Sequence, residues 1–128
     1  MAGRRPPAWN QWPEVVTRDT RKARFIGDLP HAWVAADFIS ATLDRLAYVD
    51  RGASALVLAA GVPPAWLDDG GLSVSGLATP YGRLDYTLRR DGHGLRLSIA
   101  TALAIPPGGL LFRPPGTPAG PARVDGRS

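Results

Sequence analysis

The sequence predicts a mainly β chain: a small antiparallel β-sandwich of about five strands, preceded by one substantial helix and flanked by ragged ends. Three observations predict it. Leu84, Tyr86 and Leu88 alternate with Asp85, Thr87 and Arg89, and Leu95, Leu97 and Ile99 alternate with Arg96, Ser98 and Ala100, around the turn residues 90–94. That is a hairpin with one wet face. Val34, Phe38 and Ala41, beside Ala35, Ile39, Leu43, Leu46 and Ala47, follow the helical period from about His31 to Val49. Further short apolar runs, at roughly 10- to 15-residue spacing and joined by Gly and Pro turns, complete the pattern of a sandwich.

The first 24 residues combine Pro6, Pro7 and Pro13 with charge and with Trp9 and Trp12, and fit neither period. They read as an extended basic arm, whose two indoles are expected to lie against something, because large apolar surfaces are rare in free tails. Residues 25–52 hold the helix. Asp28 is the expected N-terminal cap, Pro30 the first-turn proline, and Gly52 the left-handed residue that closes the helix. Residues 53–113 form the β domain: Ala55–Ala60 is a buried strand, residues 64–69 a single helical turn ended by Gly70 and Gly71, and Leu72–Ser75 a half-buried strand. The Pro106–Gly109 turn leads to a last strand, Leu110–Phe112. Residues 114–128, rich in Pro and Gly, cannot offset their ordering entropy and are expected to be disordered.

Composition narrows the function. With 128 residues, no Cys and two His, the chain has room for one small domain and no disulfide scaffold, thiolate metal site or cysteine chemistry. No run reaches the ~20 apolar residues of a membrane span, and no apolar export segment follows Met1. Compartment stays open, and neither a cofactor nor a metal is expected. The net charge of +4 sits at the ends: residues 1–24 carry +4, residues 113–128 carry +2 and the middle carries −2. Solvated basic ends account for this. The competing reading is an independent small binding protein whose basic arm contacts nucleic acid or an acidic partner.

No phosphate loop, nucleophile elbow, paired-histidine motif or calcium loop occurs. Asp68 and Asp69 read as solvated turn residues, and His93, between two glycines, as an exposed hairpin tip. The segment 25–33 differs, because it puts Asp28, His31 and Trp33 within six residues at a helix entrance. A carboxylate and an imidazole beside an indole face suit a polar ring such as a sugar. Capping by Asp28, a backbone bond from His31 and packing by Trp33 would explain the same residues structurally.

Arg24–Ile39, Gly61–Leu67, Gly71–Val74, Thr79–Leu84 and Ile105–Leu110 together resemble the carboxy-terminal end of large bacterial six-hairpin glycosidase-like proteins, which often carry an attached discoidin domain. The resemblance covers about residues 12–113. It implies that helix 31–49 is the last helix of an α/α barrel and that 53–113 is the appended sandwich. Catalytic acids in such a barrel would lie on helices this chain lacks, so the resemblance implies a non-catalytic accessory module or fragment. Its partners would be a missing or separate α/α barrel and carbohydrate, not a membrane. A helix shaped to cover a barrel would also leave apolar surface exposed and favour self-association.

Overall fold

A computed structural model of the chain describes residues 12–15, 30–92, 94–100 and 103–116. Two compact units emerge, residues 1–43 and 44–128. Helix α1 spans Ala32–Leu46, and six strands follow: β1 Ala47–Asp50, β2 Ala55–Leu58, β3 Leu72–Thr79, β4 Gly82–Asp91, β5 Gly94–Ile99 and β6 Leu110–Phe112. A short 3₁₀ turn at Pro64–Leu67 lies between β2 and β3. Among the described residues the fold is mainly β with one helix in front, as expected, and has six strands where about five were anticipated.

The strands form two three-stranded sheets, in the orders β1-β2-β6 and β3-β4-β5. Leu56 and Leu58 from the first sheet join Val74, Leu84, Tyr86 and Leu88 from the second, together with Ala59, Val62 and Leu67, in one hydrophobic cluster. Strand β2 is buried along its whole length, which its unbroken apolar run predicts for a central strand. Strand β4 alternates, with Leu84, Tyr86 and Leu88 at 0–1% exposure and polar neighbours outward. Within the first sheet β2 pairs antiparallel with β1 but parallel with β6, so the sandwich is not antiparallel throughout. The β3–β5 meander separates β2 from β6 in sequence, so no hairpin turn dictates their relative direction.

The helix ends three residues earlier than its apolar stripe suggests, at Leu46, and Ala47–Asp50 are strand. Distant residues cap it. The Arg45 carbonyl accepts from Gly61 N–H at 3.2 Å, and the Leu46 carbonyl accepts from Ala59 N–H at 2.9 Å and from the Tyr86 hydroxyl at 3.0 Å. These bonds satisfy carbonyls that a longer helix would have used. Burial of Tyr86 pushes its phenol up to about 12, so the donor keeps its proton at any ordinary pH. Gly52 does not close the helix. It lies in the turn 51–54, where Asp50 Oδ1 accepts from Ala53 N–H at 3.0 Å and Ser54 takes the left-handed conformation, φ 52°. At the other end Pro30 precedes the helix instead of occupying its first turn.

Strand β3 runs four residues beyond its alternating segment, because a bulge resets its phase. Val74 faces Tyr86 and Leu77 faces Leu84, so Ser75 and Gly76 together oppose Asp85. With a spacing of three, Val74 and Leu77 would point to opposite faces of a regular strand, and the extra residue returns both to the core side. Gly76 supplies the positive φ, +67°, and Asp85 Oδ1 accepts from Gly76 N–H at 2.7 Å and from the Ser75 hydroxyl at 2.9 Å. These bonds, with the Arg83 charge, hold the Asp85 carboxyl below its ordinary value of 3.8. A depressed carboxylate stabilises the fold above its unfolded pKa, and that contribution disappears as pH falls through the lower folded value. Asp85→Asn is therefore expected to flatten the acid limb of stability. Urea midpoints compared between about pH 5 and pH 2.5 should fall less in the variant than in the parent, and equal slopes would remove the role assigned to the carboxylate.

Candidate functional site

The residues singled out at the helix entrance lie in the first unit. Asp28 falls outside the described residues, so its capping and ligand roles have no structural account. His31 is the residue just before α1, and its carbonyl accepts the first intrahelical bond, from Ala35 N–H at 3.1 Å. Its own N–H donates to the Trp12 carbonyl at 2.9 Å. Trp12 in turn lays its ring against Phe38, with centroids 4.7 Å apart and planes 32° apart, so this indole of the arm does lie on the first unit's own helix. Trp9 falls outside the described residues.

His31 and Trp33 come together. Their ring centroids are 5.1 Å apart at an interplanar angle of 89°, so the two rings meet edge to face. Trp33 remains 58% exposed, the second highest value among the exposed large hydrophobic residues. The imidazole thus fixes the indole from one side and leaves a broad aromatic surface open to solvent. His31 Nδ1 is buried and has no hydrogen-bond partner among the described residues. A buried polar nitrogen without a partner costs about 1–3 kcal/mol. His31→Phe keeps an aromatic edge for Trp33 and deletes that nitrogen, so it is expected to raise stability by about 1 kcal/mol. A lower urea midpoint for this variant would show that the nitrogen is satisfied in solution.

The other polar groups are structural or solvated. Asp68, at the end of the 3₁₀ turn, pairs with Arg90 at 2.9 Å across exposed surface, and Arg96 pairs with Asp91 at 2.7 Å. Exposed pairs of this kind contribute little. Asp69 is exposed, and His93 lies outside the described residues. Among the described residues no group of three or more His, Cys, Asp or Glu side chains could hold a metal ion, and no helix is long and apolar enough to cross a membrane. Trp12 is the site residue that sequence reasoning did not place: the indoles of the basic arm signalled contact, but nothing local indicated Phe38 or the backbone bond to His31. Comparison with protein families, with curated proteins and with solved structures finds no match to this chain.

Proposed function

We propose that the chain is a non-catalytic accessory module of a glycosidase-like, carbohydrate-active protein, working beside an α/α barrel that carries the catalytic acids. The observation that carries this reading is the open Trp33 indole, braced edge-on by His31 at the start of a helix that precedes a β-sandwich. The order of helix then sandwich agrees with the resemblance drawn from the sequence motifs. Trp33 would stack on a pyranose face while polar groups at the helix entrance, His31 and Asp28 among them, bond ring hydroxyls. An open surface of this kind buries only part of a ligand, so affinity is expected to be millimolar or weaker.

The test pairs binding with turnover. Titration of the ¹⁵N-labelled chain with a panel of neutral and acidic oligosaccharides should shift the Trp33 indole resonance, with the shift lost in Trp33→Ala. Incubation with aryl glycosides should release no phenol. A panel that leaves Trp33 unmoved would overturn the sugar contact, and measurable turnover by the purified chain would overturn the non-catalytic reading. Retention on DNA with a steep salt dependence would favour the basic-arm alternative instead.

A further inference from the structure

The outward face of the β3-β4-β5 sheet lies wholly within the second unit and carries polar groups that the fold leaves unengaged. Because Leu84, Tyr86 and Leu88 are buried on the core side of β4, Thr87 and Arg89 face outward. The strand register sets Ser73 and Ser98 on either side of Thr87, and Arg96 beside Arg89. A row of three hydroxyls thus crosses three strands, next to two arginines directly opposite each other. Opposed like charges destabilise a sheet. Among the described residues, neither the Arg89 guanidinium nor any of the three hydroxyls has a hydrogen-bond or ion-pair partner.

The neighbouring acids are already engaged. Asp91 Oδ2 accepts from Arg96 Nε at 2.8 Å and lies 2.7 Å from its Nη2, while Asp85 Oδ1 accepts from the Ser75 hydroxyl and from Gly76 N–H. Arg89 is instead braced by packing. A Cβ on Gly71 would come within 2.7 Å of the Arg89 Cγ, so the missing side chain at 71 lets the arginine stem lie close to the start of β3. The open groups are therefore a steadied guanidinium and three hydroxyls, all of them donors.

We propose that this face binds an acidic sugar residue, a uronate within an oligosaccharide. The Arg89 guanidinium takes the carboxylate in the two-pronged geometry that its planar fork favours, Arg96 adds positive charge beside it, and Ser73, Thr87 and Ser98 bond sugar hydroxyls. Dimensions agree. With neighbouring strands ~4.8 Å apart, the hydroxyl row spans about 10 Å, and Arg89 lies about 7 Å from Thr87 along β4. That area suits a charged sugar and its neighbour. A nucleic acid strand fits worse, because the next outward residues of β4 on either side of Thr87 and Arg89 are Asp85 and Asp91, which repel a run of phosphates. The inference goes beyond the contact at the helix entrance and uses none of its residues, so each can fail without the other.

Titration of the ¹⁵N-labelled chain with trigalacturonate should move the amides of Thr87, Arg89 and Ser98, with a Kd on the order of millimolar, as a few exposed contacts allow. Maltotriose, which lacks the carboxylates, and inorganic sulfate, which lacks the sugar, should each bind at least about fivefold more weakly. Arg89→Gln should weaken trigalacturonate about tenfold and Thr87→Val about threefold, with the rest of the spectrum retained, since Arg89 is exposed. Arg113→Gln, on β6's side of the sandwich, and Trp33→Ala should each leave this binding unchanged. No movement of these amides would overturn the proposal, as would sulfate or maltotriose binding as tightly as trigalacturonate. Undiminished binding by Arg89→Gln would do the same. A DNA oligonucleotide that moves the same amides at lower concentration would assign the face to nucleic acid instead. Loss of binding in Trp33→Ala would show that the face is not a separate site.

Discussion

Gly108→Ala is expected to cost about 3 kcal/mol, far more than alanine usually costs in a surface turn. Gly108 donates its N–H to the Ser54 carbonyl at 2.9 Å, which presses the turn before β6 against the turn before β2. A Cβ there would collide with the Ala53 carbonyl oxygen and lie 3.0 Å from the carbonyl carbons of Ala53 and Ser54, all backbone atoms that no rotamer change can move. The receiving turn has little freedom to yield, since Ser54 already holds a positive φ. Displacing the Pro106–Gly109 turn also threatens the adjacent bond from Leu56 N–H to the Gly109 carbonyl, 3.1 Å, and with it the β2–β6 pairing. Gly109→Ala is the matched control. Gly109 has φ +78° but open space where its Cβ would sit, so it should cost only the left-handed penalty of about 1–2 kcal/mol. Equal urea midpoints for the two variants would show that the turns do not meet as described.

The second large effect lies in the shared core. Leu84 is fully buried in β4 and belongs to the cluster that joins both sheets, so Leu84→Ala should cost about 2–5 kcal/mol. A domain of this size has a stability near the low end of ~5–15 kcal/mol, so the variant should be substantially unfolded at 37 °C. Thr87→Ala, three residues on and paired with Ser73 and Ser98 on the other face, should change stability by less than about 0.5 kcal/mol. Chemical denaturation of both variants separates the two faces. Comparable losses would mean that the outer face of the β3-β4-β5 sheet is also covered.

What could be read from the sequence divides along the range of the interactions involved. The β4–β5 hairpin was legible because Leu84, Tyr86 and Leu88 declare one face by alternation alone, and the pairing of Tyr86 with Ile99 and of Leu88 with Leu97 keeps that face intact. The end of α1 was not legible. Leu46 and Ala47 both satisfy the helical stripe, yet Leu46 packs toward the core from the end of α1 and Ala47 from the start of β1, and no local breaker separates them. The decision rests on Ala59, Gly61 and Tyr86, which sequence separation hides. β3 was half legible: alternation holds through Ser75 and then slips, and only the Asp85 side chain across the sheet accounts for the slip. At the candidate site, the proximity of His31 and Trp33 was legible from their spacing. The Trp12 contact, which ties the arm to α1, depends on rings 26 positions apart in the chain and carries no local signal.

The account rests on a β-sandwich that closes its own core, while no residue of α1 is buried. Native-state hydrogen exchange on the intact chain at a monomeric concentration tests this most directly. Amides of β2 and β4 should exchange only through global unfolding, with the highest protection in the molecule. Amides of α1 from Ala36 to Leu43 should exchange through a separate opening of much lower free energy. Protection of those helix amides equal to that of β2 and β4 would mean that α1 is an integral part of the sandwich core. The accessory-module reading would then lose its foundation.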